Sequence, residues 1–337
     1  MKLLVTGAAG YIGSHTALEL LNAGHEVVGF DNFSNSTEDS IFRVRELSER
    51  PFRFTTLDLL DRPGLSRLLE EGFDAVLHFA GLKAVGESVE KPELYRKNNV
   101  EGTANLLAAM RDADCRRLVF SSSCTVYGEV KKNPVDESHP RSAVNPYGAT
   151  KLAIEDACFK LARSEKDWHI ALLRYFNPVG AHESGRLGED PRGVPNNLMP
   201  YVMQTAIGRR DKVRVWGNDY PTPDGTGVRD YIHVVDLALG HLAALDRIDS
   251  FHGAEAVNLG AGRGYSVLEM IAAASKAAGR AIPYEIMPRR PGDSAAIWAN
   301  PTLARKKLRW SAGRDLDRMC ADHWRWQKNN PNGYQSA

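Results

Sequence analysis

The sequence predicts a doubly wound α/β fold, a parallel sheet covered by helices on both faces, followed by a smaller mixed α/β lobe. In the first half of the chain, near-continuous apolar runs alternate with helical stretches. Strands that are apolar throughout are typical of parallel sheets buried on both faces. The regular alternation weakens after residue 176. We therefore predict a first domain over residues 1–176 and a second lobe over residues 177–337, some segments of which return to the first domain.

The predicted elements follow the apolar pattern in chain order. Strands are predicted at residues 3–5, 27–30, 52–55, 75–79, 118–121 and 170–175, and helices at 15–23, 64–71, 102–111 and 151–161. Residues 177–200, rich in Gly, Pro and Asn, predict a long loop, which in a compact domain is often functional. In the second lobe we expect helices at 198–207, 236–245 and 267–278 and strands at 213–216 and 228–234. The polar end, residues 329–337, is expected to fray.

The composition excludes several classes of function. The 43 Lys and Arg residues balance 42 Asp and Glu residues, so no basic field covers the molecule and nucleic-acid binding is not predicted. The four cysteines form no C-x-x-C pair and no histidine cluster has metal-ligand spacing, so we expect reduced thiols and no metal site. The sequence contains no signal peptide and no apolar stretch long enough to cross a bilayer. We therefore expect a cytoplasmic protein without a membrane partner.

A glycine-rich segment lies between the first predicted strand and the first predicted helix. Gly7, Gly10 and Gly13 have the spacing G-x-x-G-x-x-G. Glycine permits the tight turn, and a pyrophosphate can approach a backbone only where no Cβ intrudes. The helix that follows begins with free N–H groups and the positive end of its dipole. In this position the segment predicts a dinucleotide-binding domain of the Rossmann type.

Two aspartates bear on which dinucleotide binds. Asp31 ends the second predicted strand, where a carboxylate accepts hydrogen bonds from the adenosine ribose and repels a 2′-phosphate. This favours NAD over NADP. Asp58 follows the third predicted strand, and two interpretations stay open for it. Its side chain either faces the adenine or caps the N-terminus of the next helix.

Two segments carry the predicted chemistry. Residues 121–123, all serine, close the fifth predicted strand, whereas Tyr147 and Lys151 lie four residues apart and share one face of a helix. A free tyrosine has a pKa of about 10, but a nearby ammonium and a positively charged nicotinamide favour the phenolate. A serine hydroxyl at the strand end can bond the substrate oxygen and help to relay the proton. These residues predict an NAD-dependent enzyme that transfers a proton and a hydride.

This group of residues resembles the catalytic group of the short-chain dehydrogenase/reductase superfamily, in its extended branch. The resemblance implies that Ser123, Tyr147 and Lys151 are catalytic and that Lys151 also holds the nicotinamide ribose. Longer segments are similar to those of UDP-glucose 4-epimerases, and the similarity runs from residue 2 to roughly residue 330: residues 79–88, 173–182, 195–200, 217–221 and 224–233. The similarity implies a homodimer that interconverts UDP-glucose and UDP-galactose through a 4-keto sugar.

The resemblance also implies individual contacts. The residues expected to touch NAD are Gly7, Gly10, Tyr11, Ile12, Gly13, Asp31, Asn32, Phe33, Ser34, Asn35, Ser36, Asp58, Leu59, Phe79, Ala80, Gly81, Leu82, Lys83, Asn98, Ser123, Tyr147, Lys151 and Phe176. Those expected to touch the UDP-sugar are Lys83, Ser123, Tyr147, Asn177, Asn197, Leu198, Arg214, Val215, Trp216, Arg229, Arg290, Asp293 and Ile297. Arginine binds a diphosphate in bidentate fashion, which agrees with the arginines in this set. For Arg290 a solvated surface charge is the alternative, because Arg289 lies beside it.

Two other functions stay open. A sugar-nucleotide dehydratase or decarboxylase would share NAD, Tyr147 and Lys151. Dehydratases of this kind carry an Asp-Glu pair after a threonine near the fifth strand, where this chain has Val126 and Tyr127 after Thr125. The second alternative is a non-catalytic NAD-sensing protein. Such a protein usually loses the tyrosine or the lysine, and both are present here.

Two positions depart from the family pattern. Cys124 stands where bacterial epimerases have alanine, and we expect a small buried thiol there. Ile297 stands where the family has either tyrosine or a small residue, at a position that borders the sugar. Its branched side chain predicts weak activity on N-acetylated sugars. The alternative is that Ile297 packs inside the second lobe and never meets the substrate.

The expected dimer would pair two helical segments of each subunit, residues 91–111 and 151–163, in a four-helix contact. Leu106, Leu107 and Met110 crowd the first segment with apolar groups. The same three side chains could equally pack on the sheet, so the sequence leaves both arrangements open.

Overall fold

The computed structural model describes residues 1–290 and 293–334. Its strands are β1 (Lys2–Thr6), β2 (Glu26–Asp31), β3 (Arg53–Thr56), β4 (Ala75–His78), β5 (Arg117–Ser123), β6 (His169–Tyr175), β7 (Asn177–Val179), β8 (Val213–Trp216), β9 (Val228–His233), β10 (Gly253–Leu259), β11 (Gly264–Ser266), β12 (Tyr284–Met287) and β13 (Ala296–Ile297). Its helices are α1 (Tyr11–Asn22), α2 (Asp39–Ser48), α3 (Arg62–Leu69), α4 (Val85–Glu90), α5 (Pro92–Tyr95), α6 (Gly102–Asp112), α7 (Pro146–Ser164), α8 (Leu198–Ala206), α9 (Val234–Asp246), α10 (Val267–Ala278), α11 (Thr302–Lys307) and α12 (Leu316–Asn329). A π-helical segment, Arg96–Glu101, joins α5 to α6, and short 3₁₀ segments lie at Cys124–Tyr127 and Ile248–Ser250.

A seven-stranded parallel sheet confirms the predicted doubly wound fold. The strand order is β10-β6-β5-β4-β1-β2-β3. Neighbouring residues of β1 point to opposite faces, so Leu3 packs in one apolar cluster and Leu4 in another. Helices cover both clusters, with α9 on the first through Leu237 and α3 on the second through Leu65. The strand order reverses between β1 and β4, and ligands of such sheets bind beyond the carboxyl ends of the strands at this reversal.

The second lobe has the predicted mixed α/β character. Strand β9 pairs with β11, β13 and β7, and β8 pairs with β12 in a separate two-stranded sheet. Met199 of α8, Val215 of β8 and Met270 of α10 lie in the apolar core of this lobe. Although β10 belongs to the second half of the sequence, it is the edge strand of the large sheet, beside β6. The boundary at residue 176 stays a prediction.

The sequence pattern did not predict the strands β7, β10, β11, β12 and β13, and β10 and β7 show why. The first four residues of β10 are only half-buried and its last three are buried, so it lacks the continuous apolar run of a central strand. Its place at the sheet edge explains this pattern. The segment predicted as a loop at 177–200 begins instead with the short strand β7, which pairs with β9. Both strands are defined by long-range pairing rather than by local composition.

The end of the chain is held in place as far as the structure describes it. The Tyr334 hydroxyl accepts a hydrogen bond from the Gly188 N–H at 3.0 Å, and its own N–H donates to Asp190 at 2.8 Å. The expected fraying is therefore wrong for residues 330–334, because long-range contacts replace the missing helix. Residues 335–337 of the same predicted segment lie outside the described residues.

The apolar side chains of α6 pack on the sheet. Leu106 and Met110 are fully buried and Leu107 is 8% exposed, all in the cluster that covers one sheet face. Of the two arrangements left open for them, packing on the sheet is correct. They therefore give no support to a dimer contact.

Three findings concern the classes of function raised by composition. Within residues 1–290 and 293–334, no helix is long and apolar enough to span a membrane. Over the same part of the chain, no group of three or more His, Cys, Asp and Glu residues could hold a metal ion. Cys115, Cys158 and Cys320 are free and buried, and Cys124 is free and half-buried.

Candidate active site

The glycine-rich turn lies at the carboxyl end of β1 and leads into α1. Gly7 has a φ of +66°, and a Cβ there would lie 2.6 Å from the backbone nitrogen of Ala80. A Cβ on Gly13 would lie 2.2 Å from the carbonyl oxygen of Gly7. Helix α1 starts after Gly10 without a side-chain cap. The turn therefore presents backbone N–H groups with no side chain in front of them, an arrangement that suits a pyrophosphate.

Asp31 ends β2 beside this turn. Its Oδ2 accepts a hydrogen bond from the Ala9 N–H at 3.2 Å, and its Oδ1 accepts from the Phe33 N–H and the Ser36 hydroxyl, both at 2.9 Å. Burial raises the pKa of Asp31, and these three hydrogen bonds oppose the rise. Oδ2 keeps one acceptor position, which a hydroxyl group of a bound molecule can use.

Asp58 follows β3 on the other side of the same pocket. Its Oδ2 accepts from the Asn32 side chain at 2.7 Å and its Oδ1 from the Leu60 N–H at 2.8 Å. The N-cap of α3 is Asp61, which accepts from the Gly64 N–H at 3.0 Å. The interpretation of Asp58 as a helix cap is therefore wrong, and its contact with adenine stays a prediction.

A pocket runs past the glycine turn and the carboxyl ends of β1, β2 and β4. Most of the residues predicted to touch NAD line it: Gly7, Gly10, Tyr11, Ile12, Gly13, Asp31, Asn32, Ser34, Asn35, Ser36, Asp58, Leu59, Phe79, Ala80, Gly81, Leu82, Lys83 and Asn98. Residues 188–191 and Tyr334 form another part of the lining, and no local motif marks them. Phe33, Ser123, Tyr147, Lys151 and Phe176, which were also predicted to touch NAD, lie outside the lining. The Phe33 ring packs on Phe54, with 5.3 Å between ring centres, and Phe176 belongs to a separate apolar cluster.

The π-helical segment Arg96–Glu101 ties the pocket to α7. Asn98 lines the pocket, whereas the next residue, Asn99, is buried behind it. Asn99 accepts from the Leu82 N–H at 2.8 Å and donates to the Leu82 carbonyl at 3.0 Å and to Thr150 at 3.2 Å. Asn99 thus fixes the loop after β4, and only the fold identifies it.

Helix α7 places the predicted catalytic tyrosine at its first turn. Asn145 caps the helix by accepting from the Gly148 N–H at 2.8 Å. The N–H of Tyr147 donates to the Ser88 hydroxyl at 3.1 Å, which anchors this turn to α4. Lys151 lies on the same helix face one turn later, as the four-residue spacing predicts.

The structure brings Ser123, Tyr147 and Lys151 together at the carboxyl end of β5. The Lys151 ammonium donates to the Ser121 carbonyl at 2.7 Å and lies 5.9 Å from the centre of the Tyr147 ring. Ser121 also lines the cofactor pocket. The Ser123 hydroxyl oxygen accepts from the Thr125 N–H at 3.2 Å. Lys151 thus contacts a residue of the pocket lining, and Ser123 and Tyr147 lie beside it.

Burial dominates the titration of these groups. It raises the pKa of Tyr147 to about 12, although a hydrogen bond with Ser123 opposes the rise. Burial also lowers the pKa of Lys151 to about 8, and the charge of Glu155 opposes that shift. In the chain alone Tyr147 is thus a neutral phenol at neutral pH, in contrast to the phenolate expected from its lysine neighbour. Desolvation outweighs the attraction of the ammonium.

A buried ion pair supports the catalytic helix one turn beyond Lys151. Glu155 is fully buried and accepts from the Arg174 guanidinium at 2.9 and 2.7 Å. It also accepts from the Ser122 hydroxyl at 2.6 Å and from Arg141 at 3.2 Å. The pair links α7 to β5 and β6, so it holds the helix and the strand that carry the catalytic group. Breaking such a pair leaves an uncompensated buried charge.

A second cluster of predicted residues lies in the second lobe. Asp293 accepts from the Arg290 Nε at 3.0 Å, and its other oxygen lies 3.9 Å from the Arg229 guanidinium. The Arg290 guanidinium is 5.8 Å from the centre of the Trp216 ring. Arg289 has a different partner outside this cluster. The structure thus brings together Trp216, Arg229, Arg290 and Asp293, and Arg290 is more than an isolated surface charge.

Two further predicted residues meet at a buried carboxylate beside the cofactor pocket. Glu189 Oε1 accepts from the Asn197 side chain at 3.0 Å and from the Lys83 ammonium at 3.1 Å. Leu198 follows as the first residue of α8 and packs on the core of the second lobe. No sequence pattern pointed to Glu189, which joins the cofactor side of the site to the sugar side.

Strand β8 carries three residues that were predicted to touch the UDP-sugar, and it places them on opposite faces. Arg214 is exposed and lies 3.8 Å from Glu285, and Trp216 is half-buried on the same face. Val215 points the other way and is 1% exposed in the lobe core. A contact of the Val215 side chain with a ligand is therefore ruled out by the strand alternation, and only its backbone is available.

Ile297 lies in a small apolar cluster that includes Cys124, the neighbour of Ser123 in the chain. It is 6% exposed on β13 and packs in the cluster that contains Phe176 and the half-buried Cys124. Cys124 was expected to be buried and is only half-buried by its exposed surface, although desolvation raises the pKa of its thiol to about 12. Cys124 follows Ser123 in the chain, and Phe176 precedes Asn177, which is half-exposed at the start of β7. The contact of Ile297 with the sugar stays a prediction.

The chain is similar over its full length to known proteins of one kind. A family model described as GDP-mannose 4,6 dehydratase matches residues 4–323. The UDP-glucose 4-epimerase of Bacillus subtilis (strain 168) is 54% identical over 338 residues, which cover 100% of both chains. The UDP-glucose 4-epimerase of Homo sapiens is 56% identical over 341 residues, covering 99% of this chain and 98% of that protein. A crystal structure of UDP-glucose 4-epimerase from Bifidobacterium longum in complex with NAD+ and UDP has 50% identity and a TM-score of 0.96, covering 99% of this chain and 100% of that one.

Proposed function

We propose that this chain, which belongs to the UDP-glucose 4-epimerase family of the extended short-chain dehydrogenase/reductase superfamily, interconverts UDP-glucose and UDP-galactose. It is an isomerase that acts on carbohydrates, and NAD is its cofactor. The observation that carries the proposal is that the Tyr147–Lys151 pair lies directly behind a residue that lines the pocket built on the glycine turn. Ser121 joins the two, since it lines the pocket and accepts the hydrogen bond of Lys151.

The pocket residues fit NAD. The N–H groups at the start of α1 meet the pyrophosphate, because Gly7, Gly10 and Gly13 place no side chain in its path. Asp31 Oδ2 accepts a ribose hydroxyl at its remaining acceptor position, and Oδ1 accepts the second one once the Ser36 hydroxyl turns away. A 2′-phosphate beside this buried carboxylate would place two negative charges together, so NADP is disfavoured.

Tyr147 is the general acid and base of the reaction. Its phenolate removes the proton from the sugar 4′-hydroxyl, and the Ser123 hydroxyl donates a hydrogen bond to the same oxygen. NAD, when bound, would supply reversible hydride transfer at sugar C4. Lys151 remains next to the phenol and favours its charged form. Because burial raises the pKa of Tyr147 to about 12 in the chain alone, the base forms in the complete complex.

Inversion requires the 4-keto sugar to present its other face before the hydride returns. The sugar turns about its link to the diphosphate while Arg229 and Arg290 hold the diphosphate. In the chain alone both guanidinium groups face Asp293, at 3.9 and 3.0 Å. The diphosphate oxygens take over part of this pairing, so the arginines need little rearrangement to bind them.

The two alternative functions are not favoured. A dehydratase needs an acid after Thr125, but Val126 and Tyr127 occupy these places and both are fully buried. A non-catalytic NAD-sensing protein does not need Tyr147 or Lys151. Both are present and lie together behind the pocket lining.

For the assembly we propose a homodimer, formed by residues 91–111 and 151–163 of each subunit. The support is a set of exposed alanines on α6 and α7, since small side chains let helices approach closely. Ala104 of α6 and Ala149, Ala153 and Ala157 of α7 are exposed. Light scattering at micromolar concentration should give the mass of two chains, and a monomer would contradict the dimer.

We also propose a cytoplasmic location. Its physical support is the set of four free cysteines, because reduced thiols suit a reducing compartment.

Product analysis tests the proposed function. The protein as purified is incubated with UDP-galactose and no added NAD, and we expect UDP-glucose as the product. Denaturation of the same sample should release NAD(H) with little NADP(H). A dehydrated keto sugar would support the dehydratase instead, and NAD-loaded protein that forms no product would contradict the enzyme assignment.

A further inference from the structure

Residues 188–192, here called the strap, lie beside the proposed cofactor pocket. Residues 188–191 line the pocket, and none of them is among the predicted NAD contacts. Gly188 and Glu189 are buried, although the strap belongs to a segment predicted as a loop. Burial of backbone in a loop requires partners for its polar groups, and the strap finds them on three sides.

The first set of contacts joins the strap region to the loop after β2. Arg192 donates to the Ser36 carbonyl at 2.6 Å and to the Ser34 carbonyl at 3.5 Å, and both serines line the pocket. Just before the strap, Arg186 forms an ion pair with Glu46 of α2. These contacts close the pocket at the end where Asp31 lies.

The second set lies at the other end of the pocket. Glu189 Oε1 accepts from Lys83 of the loop after β4, at 3.1 Å, and from Asn197 at 3.0 Å. Its other oxygen, Oε2, is buried and has no hydrogen-bond partner among the residues that the structure describes. Because an unpaired buried carboxylate oxygen is costly and Glu189 lines the pocket, this oxygen is available to a donor group of the bound molecule.

The third set comes from the end of the chain and holds the strap from behind. The Tyr334 hydroxyl accepts from the Gly188 N–H at 3.0 Å and lies 3.1 Å from the Gly188 carbonyl, to which it donates. The Tyr334 N–H donates to Asp190 at 2.8 Å, and its ring packs on Trp326 with 4.5 Å between ring centres. A Cβ on Gly188 would lie 2.4 Å from the Trp326 ring, so the strap fits closely against α12.

We propose that the strap is a clasp that retains NAD between turnovers, with Arg192 and Tyr334 as its fastening residues. This rests on the proposed function, in which NAD accepts a hydride and returns it within one cycle and therefore never needs to exchange. The strap and the glycine turn line the same pocket, so a strap that stays fastened narrows the opening through which NAD would leave. Lifting the strap breaks the Arg192 contact with Ser36 and the Tyr334 contact with Gly188. Neither fastening residue lies at the Tyr147 end, so both are positioning residues.

The test measures how fast the holoenzyme exchanges its NAD. The variants Arg192→Ala and Tyr334→Phe are loaded with radiolabelled NAD and diluted into excess unlabelled NAD. We expect each to exchange about 3- to 10-fold faster than the wild type, the range for losing one or two hydrogen bonds. The double variant should exchange faster than either single variant. The turnover number of Arg192→Ala at saturating NAD should stay within about twofold of wild type, because Arg192 lies outside the pocket lining and the reacting groups are untouched.

Two matched control variants show whether faster NAD exchange is specific to the strap contacts or follows from removing any arginine or any tyrosine hydroxyl. Arg305→Ala removes an exposed arginine of α11, and Tyr284→Phe removes the hydroxyl of a tyrosine that is 48% exposed on β12. Both should exchange NAD at the wild-type rate. Thermal unfolding of all variants shows whether faster exchange comes from lost stability. Arg192 is exposed, so Arg192→Ala carries the test if Tyr334→Phe is destabilised.

The outcomes distinguish the clasp from the function on which it rests. Wild-type exchange rates in both variants, with normal epimerase activity, would overturn the clasp alone. If the turnover number of a variant fell by the same factor as its NAD exchange rate rose, the clasp would also be overturned. The substituted residue would then affect the geometry of the reacting groups. Wild-type protein that carries no NAD and makes no UDP-glucose would contradict the proposed function itself.

Discussion

The cofactor side and the sugar side of the site are built in different ways. The cofactor side consists of backbone turns at the carboxyl ends of consecutive strands, and nearly all of its predicted residues line one pocket. The sugar side is assembled from side chains of separate elements, such as Trp216, Arg229 and Arg290. Without a bound ligand its charged side chains pair with one another, since Asp293 contacts both arginines.

This difference indicates which kinetic and binding properties each side of the site controls. Backbone N–H groups and glycines are fixed by the fold, so the cofactor side is rigid before NAD binds. On the sugar side, the arginines must give up ion pairs within the protein when they bind a diphosphate. Substitutions beside the cofactor should therefore act on turnover and on retention of NAD, and substitutions on the sugar side should act on the affinity for UDP-sugar.

The largest effect is expected for Tyr147→Phe. The variant keeps the ring and loses the proton-transferring oxygen, so the turnover number should fall by at least about 100-fold, the lower range for positioned acid–base catalysis. The fold and the bound NAD should be unchanged, as circular dichroism and cofactor release measure. Tyr201→Phe, on the half-buried face of α8, is the control and should keep normal turnover. Near-normal turnover of Tyr147→Phe would remove this residue from the mechanism.

The next effect concerns the sugar side and the Michaelis constant. Arg229→Ala should raise the KM for UDP-galactose by about 10- to 150-fold, because a charge-assisted hydrogen bond contributes about 1.5–3 kcal/mol. Arg290→Ala should lie at the lower end of that range, since its side chain is 54% exposed against 20% for Arg229. The turnover number should change little in either variant.

The control for these arginines is the neighbouring Arg289, which bonds Asp219 instead of Asp293. Arg289→Ala should leave the KM within about twofold, as for most surface substitutions. If Arg229→Ala lowered turnover and left the KM unchanged, the proposed division between the two sides of the site would be wrong.

A smaller effect is expected for sugar selectivity. Ile297→Ser removes a branched side chain beside Phe176, and relief of about 1–2 kcal/mol of overpacking corresponds to about 5- to 30-fold in rate. The variant should gain this factor in kcat/KM for UDP-N-acetylgalactosamine and keep the UDP-galactose reaction within a few-fold. Ile297→Val, which keeps the branching, is the control. Equal activity of the wild type on both substrates would show that Ile297 does not select between the two sugars.

The smallest expected effect is the pH dependence of stability that comes from Lys151. Burial lowers the pKa of Lys151 to about 8, so between pH 8 and its ordinary value of 10.5 the unfolded chain binds more protons than the folded chain. The free energy of unfolding therefore rises with pH in this window, by at most about 1.4 kcal/mol per pH unit. Denaturant titrations should show this rise in the wild type and its loss in Lys151→Met. The exposed Lys328 of α12 gives the control Lys328→Met, and the same slope in all three proteins would contradict the prediction.

Sequence alone was sufficient where function depends on local backbone. The glycine turn, Asp31 and the Tyr147–Lys151 spacing are contiguous signals, and the structure places each of them at the carboxyl edge of the large sheet. It was insufficient where contacts span long distances along the chain. Tyr334 and Gly188 are 146 residues apart, and Glu155 is recognisable as a buried partner only once Arg174 of β6 is beside it. Val215 shows a third limit, because a similarity in sequence does not say which side of a strand faces the ligand.

The most direct test of inversion on a retained cofactor follows labelled atoms through one turnover. UDP-galactose carrying deuterium at sugar C4 and ¹⁸O in the 4′-hydroxyl is converted by the holoenzyme in ordinary water. If Tyr147 handles only the hydroxyl proton and the hydride leaves and returns within one closed site, the UDP-glucose formed should retain both labels, even with excess unlabelled NAD present. Loss of deuterium to water or to the added NAD, or loss of ¹⁸O, would contradict inversion by oxidation and re-reduction on a retained cofactor.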